Sequence, residues 1–296
     1  MRSSDFLSSS IVGLIVGTMV LLCPGSVRAQ VKECERIISL APSITELLVE
    51  LGLESKIVGV TNYDRYPPSI IGKPIVGGFL DINTEAVIRR HPTNVFALVE
   101  GEESLRRVKS FGVAVDLVDH RSVQGILNSV AAIAKRCGIV EQGVNLAAQL
   151  NESVAKATSS DHLKGLSLKV LVVVGREVAA EGVSSVYVSG RDGFYHDLLL
   201  LAGVTNAYDG PTLSVPVLST EGLKSLQPDL ILEMVGNDTL APSDDVILES
   251  WKHLGSIPAV AQGRIFIMRK DYATIPGPRF PSLLRDIISV FSNVRG

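Results

Sequence analysis

The chain is predicted to be an α/β protein of two similar lobes, each built on a mostly parallel sheet, joined by a single long α-helix. Three observations predict this. The stretch from Asp81 to Ala97 is echoed from Leu218 to Glu233: at one constant offset Thr84 and Glu85 fall on Thr220 and Glu221, Pro92 on Pro228, and Val95 on Ile231. A second pair, Thr45 to Leu53 and His196 to Val204, reads as two amphipathic helices each stopped by glycine. Its offset differs from that of the first pair, as an insertion in one half produces. Between the halves, Val140 to Ala157 carries one uninterrupted helical pattern with Val144, Leu146, Leu150 and Val154 on or near one face and only Gly143 to weaken it. A helix of that length spans about 27 Å at 1.5 Å per residue, enough to bridge two lobes.

The elements follow in order. Arg36 to Leu40 is a strand that runs into Ala41-Pro42-Ser43-Ile44-Thr45-Glu46, where Pro-Ser followed three residues on by Glu marks a helix start with a capping box. Ile57 to Val60 is a second strand, followed by the aromatic loop Thr61 to Pro68, too proline-rich for a helix, and by Gly77-Gly78-Phe79. In each copy of the repeat the Thr-Glu pair opens a short helix, with the Thr hydroxyl as cap and the carboxylate at the positive end of the dipole. Proline closes the helix and an apolar β-branched run follows as a buried strand.

Gly112 to Val118 completes the strands of the first half and Ser122 to Lys135 its helices. The second half restarts at Lys169 to Gly175, apolar throughout and so covered on both faces, and continues with a strand from Ser184 to Ser189 and a helix from Gly193 to Ala202. Beyond the echoed unit come a helix from Ser243 to Ser250, a strand from Arg264 to Met268 and a last helix from Ser282 to Val294. The expected divisions are a leader at 1–29, a first lobe at 30–137, a linker helix at 138–160 and a second lobe at 161–296.

The leader is read from Arg2, the apolar run Ile11 to Leu22, and the small-residue site Ser26-Val27-Arg28-Ala29, which together match a secretory signal cleaved after Ala29. The run is too short to span a bilayer. A lipoprotein signal ending at Cys23 is the rival reading, although Leu22 is larger than the residue lipidation prefers. Cleavage takes Arg2, Arg28 and Asp5 away and shifts the net charge from −3 to −4, a balance unsuited to nucleic acid. It leaves Cys34 and Cys137, either a disulfide or two buried thiols.

Catalytic signatures are absent: no P-loop, no Gly-x-Ser-x-Gly, no Gly-x-Gly-x-x-Gly, no His-Glu-x-x-His and no Cys/His cluster of metal-site spacing. No resident cofactor is expected. His120 follows a strand, but a lone histidine there reads more readily as a solvated loop residue, and His196-Asp197 as a cap or surface pair. The strand-end loops do carry Ser43, Tyr63, Phe79, Tyr187 and Tyr272. Open α/β sheets bind ligands outside the carboxyl ends of their strands.

The export signal, Ser-Leu-Ala-Pro-Ser-Ile-Thr-Glu at 39–46, Tyr66-Pro67-Pro68, Gly77-Gly78-Phe79, Asn83-Thr84-Glu85, Val186-Tyr187-Val188-Ser189-Gly190 and Pro276-Gly277-Pro278-Arg279 together resemble the cobalamin and iron-siderophore class of periplasmic binding proteins of ABC importers. The resemblance runs in order through the mature chain. It implies two Rossmann-like lobes on one helical backbone, the helical-backbone metal-receptor type, and a monomer that receives a metal-containing cargo and delivers it to the permease dimer of the inner membrane. It places Ser43, Tyr63, Phe79, Tyr187, Tyr272 and Arg279 at the ligand, cobalamin or a related corrinoid first and a ferric siderophore second. It places Glu85 and Glu221 as one permease-docking carboxylate per lobe.

Two positions that are aromatic in cobalamin binders are Leu98 and Val215 here. The haem branch places a tyrosine close to Phe79, which has no oxygen for iron. An exported α/β enzyme and a surface interaction module are the readings from other classes; the first needs a nucleophile and base in the cleft, the second no cleft at all.

Overall fold

The computed structural model describes residues 34–78, 81–159, 167–211, 215–236 and 241–294. The leader at 1–29 and Phe79 lie outside the described residues. The first half folds as β1 (Ile37–Ser39), α1 (Pro42–Glu50), β2 (Ile57–Gly59), α2 (Thr84–Arg89), β3 (Asn94–Leu98), α3 (Arg106–Ser110), β4 (Val115–Val118) and α4 (Val123–Arg136). Its four strands are all parallel, in the order β2-β1-β3-β4. Helical crossovers connect successive strands; β1, β2 and β3 are mostly buried and β4, at the sheet edge, is half-buried.

α5 (Val140–Thr158) then leads to the second half. Gly143 does not break this helix. It packs so tightly on α4 that a Cβ there would lie 2.4 Å from the Cβ of Ala134. Leu146 and Leu150 are buried with it, whereas Val144, expected on or near the same face, is exposed.

The second half contains β5 (Lys169–Ala179), β6 (Gly182–Val188), α6 (Phe194–Leu201), β7 (Thr205–Asn206), β8 (Val217–Ser219), α7 (Thr220–Leu226), β9 (Leu230–Met234), α8 (Asp244–Trp251), α9 (Pro258–Ala261), β10 (Ile265–Met268) and α10 (Phe280–Val294). β10, β9, β5 and β7 are parallel and repeat the first sheet's arrangement, but β6 and β8 extend the sheet in antiparallel fashion. The expectation of a mostly parallel sheet thus holds for only part of this half. β5 runs on past Gly175 to Ala179, and the two residues left before β6 permit a hairpin but no crossover.

Two capping expectations are corrected. Thr84 and Thr220 are the first helical residues, and the caps are the residues before them: Asn83 Oδ1 accepts from the Ala86 N–H at 2.9 Å and Ser219 Oγ from that of Gly222 at 3.3 Å. α1 has no side-chain cap; Ala41 precedes Pro42 in extended conformation, and Ser43 and Glu46 turn to other partners. The expected terminators are in place, with Gly52 and Gly203 in the left-handed region at φ 77° and 73° after α1 and α6.

Alternation along the strands divides the interior. Ile37 and Phe96 of the first sheet and Val170, Val172, Leu230 and Leu232 of the second belong to one continuous core with α1, α4, α5, α6 and α10. Ile38 and Val95 face away into a cluster under α2 and α3, and Leu171, Val173 and Ile231 into one under α8. Each fully buried aliphatic of the shared core contributes on the order of 1.5–3 kcal/mol. Separating the halves would expose that surface, so the core welds them. Cys34 and Cys137 are joined as a disulfide with Cα atoms 5.2 Å apart, tying the approach to β1 to the end of α4.

Candidate ligand-binding cleft

Segments that follow the carboxyl ends of strands from both sheets converge on two adjoining chambers. The larger, about 790 Å³, is lined by the turn after β1 (Ala41, Ser43, Glu46), the loop after β2 (Tyr63, Arg65, Tyr66), Val235 and Gly236 after β9, and Asp271, Thr274, Ile275 and Pro276 after β10. The smaller, about 520 Å³, is lined by Leu98, Val174, Phe194, Tyr195, Val215 and Pro276 with Ser43 and His120, and by Glu100 and Arg121. Ser43, Leu98, Thr274 and Pro276 belong to both, so the chambers adjoin as one cleft.

The loop after β2 is held by a buried carboxylate. Asp64 Oδ2 accepts from the Thr61 amide at 2.8 Å and the Thr61 hydroxyl at 2.6 Å, and burial raises the Asp64 pKa above the usual carboxylate range. This turn presents Tyr63, 58% exposed, and Tyr66 toward the larger chamber. Ser43 and Tyr63 are therefore the two expected ligand residues that the fold brings into the cleft.

Tyr272, Tyr187 and Arg279 are placed otherwise. Tyr272 donates its hydroxyl to Asp286 Oδ2 on α10 at 2.6 Å. Tyr187 lies between Val186 and Val188, both buried, so the period of the strand turns its ring to the outer face, where its hydroxyl meets Glu177 at 3.2 Å. Neither ring lines either chamber. Arg279 is the centre of a structural network: its Nε and Nη2 donate to Glu46 at 2.9 and 2.6 Å, its Nη1 donates to Asp271 at 2.7 Å, and its guanidinium lies 3.9 Å from the centroid of the Tyr66 ring and 5.1 Å from that of Tyr272. A guanidinium with two carboxylate partners and a ring on it has little left to offer a ligand. Its place is behind the chamber wall.

Glu46, only 2% exposed, is pushed up to about 7 by burial, which outweighs the lowering by Arg279. His120 departs most from its expectation. It is 3% exposed, with Nδ1 2.9 Å from Ser43 Oγ, and its Nε2 has no hydrogen-bond partner among the described residues. Burial pushes it down to about 4, so it is neutral at physiological pH.

The smaller chamber is mainly apolar. Phe194 and Tyr195 meet edge to face at 5.1 Å, and Tyr195 donates to the carbonyl of Ala273 at 2.6 Å. At its rim Arg121 is paired with Asp119 at 2.6 Å and Glu100 at 3.6 Å. Among the described residues no group of three or more His, Cys, Asp or Glu side chains is placed to hold a metal ion, and no helix is long and apolar enough to cross a membrane.

Glu85 and Glu221 stand away from the cleft in the first turns of α2 and α7. Glu85 is 80% exposed and pairs with Arg89 at 3.5 Å. Glu221 is exposed and held below the usual carboxylate range by the helix start and by the hydroxyls of Thr220 and Ser219.

Reading the sequence assigned no ligand contact to Arg65, Phe194, Tyr195 or His120 in the cleft, and read Glu46 as part of a cap. The repeat held the available signal, because it sets Glu46 opposite Asp197, a residue that also reaches away from its own helix.

Residues 37–272 match the sequence profile described as periplasmic binding protein. An uncharacterised ABC transporter substrate-binding lipoprotein, YvrC, of Bacillus subtilis is 28% identical over 259 residues, covering 84% of this chain and 77% of that protein. The vitamin B12-binding protein of Vibrio parahaemolyticus is 23% identical over 271 residues, covering 88% and 90%. Among solved structures, the periplasmic heme-binding protein RhuT of Roseiflexus superposes with a TM-score of 0.75 at 26% identity, covering 88% of this chain and 99% of that one.

Proposed function

This chain belongs to the periplasmic binding protein family, and on that premise we propose that it is the solute-receiving subunit of an ABC importer, with cobalamin or a related corrinoid as cargo. It is a binding protein and not an enzyme. The observation that carries the cargo reading is the character of the cleft: two large chambers in which the charged side chains already have partners. Glu46 and Asp271 are held by Arg279, and Glu100 by Arg121, which leaves Arg65 as the cation without an ion-pair partner among the described lining residues. Such a site favours a bulky cargo of low net charge, gripped by ring faces and apolar surface. Relatives named for vitamin B12 support the same choice.

Ferric-siderophore capture is the second reading, favoured by Arg65, which would meet an anionic chelate, and by a neighbour titled for ferric hydroxamate transport. Haem stands third: Tyr63 and Tyr66 supply phenol oxygens to the chamber, and several neighbours are titled heme-binding. Incubating the mature protein with cyanocobalamin, ferric siderophores and haemin, then recording spectra after desalting, tests the choice. Retained corrinoid absorbance is expected; a retained haem or ferric-chelate spectrum with no corrinoid would replace the first reading.

The proposal includes export with cleavage after Ala29, or anchoring through Cys23 as in a lipoprotein, and action as a monomer. The Cys34–Cys137 disulfide supports an oxidising compartment. Glu85 and Glu221 are proposed as the permease-docking carboxylates. Their exposure at the same point of the repeated unit supports this, and charge complementarity would fix the orientation of docking.

A further inference from the structure

Glu46 and Asp197 occupy the same point of the duplicated helix, each six residues before the left-handed glycine that terminates it. Neither carboxylate serves its own helix. Asp197, on α6, accepts the backbone N–H of Val123 at 2.8 Å, and Val123 is the first residue of α4 in the other half. Glu46, on α1, accepts two hydrogen bonds from Arg279, the residue immediately before α10. The sequence separations are 74 and 233 residues.

The two receiving helices are themselves counterparts. α4 follows β4, the strand beside β3; α10 follows β10, the strand beside β9; and β3 and β9 are the two strands of the repeated unit. Each lobe's first helix therefore holds the start of the other lobe's last helix. A helix start offers unpaired N–H groups and positive potential, so a carboxylate arriving from the other lobe is held by hydrogen bond and dipole together. On the Glu46 side the grip is relayed by Arg279 to Asp271 and to the Tyr66 ring, which is part of the chamber wall.

We propose that Glu46 and Asp197 are a reciprocal pair of positioning residues that fix the spacing of the two lobes across the floor of the cleft, so that cargo meets a gap of preset width. Neither residue is a cargo contact in this reading. It rests on the cleft being the cargo site only for its kinetic consequence. The spacing itself belongs to the cargo-free protein.

The test therefore begins without cargo. Spin labels are placed at Ser110 and Lys224, one exposed site in each half, in the mature protein, whose native cysteines are bonded to each other. Glu46→Gln and Asp197→Ala should each broaden the interlobe distance distribution. Val123→Pro should reproduce the effect of Asp197→Ala without touching the carboxylate, because it deletes the donor at the one helical position where proline is well tolerated. Combining Val123→Pro with Asp197→Ala should add nothing further, as expected when two changes remove one interaction.

For the cargo identified by the spectral panel, release should quicken about tenfold with association little changed, the scale of one charge-assisted hydrogen bond. Distance distributions that match wild type in folded Glu46→Gln and Val123→Pro proteins would overturn the proposal, whatever the cargo proves to be. Broadened distances with an unaltered release rate would overturn it as well, since the pair would then hold the lobes without serving capture.

Discussion

The Nδ1 of His120 lies 2.9 Å from the Oγ of Ser43, and this contact ties the loop after β4 to the first turn of α1 where the two chambers adjoin. Burial holds the ring neutral by pushing it from 6.5 to about 4, against the pull of Asp119 and of the Pro276 carbonyl. A histidine with a depressed folded pKa contributes stability that is complete above 6.5 and lost as pH falls toward 4, a change of about 3 kcal/mol. Glu46 has the opposite sign. Raised by burial from 4.5 to about 7, with Asp271 and Asp64 adding to the shift and Arg279 opposing it, it contributes stability that is complete below 4.5 and lost as pH rises through 7. Between 4.5 and 6.5 the two slopes oppose each other. Glu46→Gln removes one of them, so the variant should lose about 2 kcal/mol more than wild type on acidification across that window. Urea unfolding at several pH values checks this, and parallel pH profiles for the two proteins would refute it.

The disulfide closes a loop of 103 residues. Loop-closure entropy for about 100 residues corresponds to roughly 4–5 kcal/mol, and native disulfides removed from small domains cost roughly 2–5 kcal/mol. Cys34→Ser with Cys137→Ser should therefore lower the melting temperature substantially, and a reductant should do the same to wild type while leaving the double variant unchanged. Equal melting of the two proteins under oxidising conditions would show that the bond contributes nothing.

Gly143 sets two effects of known size against each other. Alanine favours a helix interior by about 1 kcal/mol over glycine, whereas overpacking a tight contact costs about 1–3 kcal/mol. With a Cβ at 2.4 Å from Ala134 the contact should win, and Gly143→Ala should destabilise the protein. Ala134→Gly should relieve the clash in the double variant. Thermal melts of the two singles and the double suffice, and a stabilised Gly143→Ala would mean that α4 and α5 can part at no cost.

Tyr63 lines the larger chamber and Tyr187 neither chamber. Tyr63→Ala should weaken cargo binding by about 2 kcal/mol, the threshold of an interface hot spot, while Tyr187→Ala stays within about 0.5 kcal/mol of wild type, as surface changes do. Titration by tyrosine fluorescence quenching separates the two. A larger loss for Tyr187 would move the cargo onto the β5–β6 hairpin.

Glu85→Lys with Glu221→Lys should abolish delivery through the permease while leaving cargo affinity and thermal stability near wild type, because neither carboxylate has a buried partner. The plainer role, a carboxylate favouring a helix start, is worth roughly 0.3–1 kcal/mol and would appear as lost stability. Uptake by reconstituted vesicles, run beside a binding titration, decides between them. Persistent uptake, or uptake and folding failing together, would leave the two residues as helix stabilisers.

The sequence by itself determined the α/β plan and its repeated unit, because these follow from signals a few residues long. Thr-Glu before an apolar run opens α2 and α7, Pro92 and Pro228 follow them, Gly52 and Gly203 terminate α1 and α6, and unbroken apolar runs give β5 and β9. Even the local signals leave a position of slack, as Asn83 and Ser219 show by capping in place of the threonines after them. Only the tertiary structure decided which side chains face the cleft. Tyr187 is a strand residue whose direction depends on which face of β6 is buried, and His120 is a loop histidine until α1 and the Pro276 segment close over it. Arg279 and Asp197 find partners 233 and 74 residues away, and no local pattern encodes a hydrogen bond across that distance. Periodicity and capping are properties of a segment, whereas burial and partnership arise when segments distant in sequence are packed into one core.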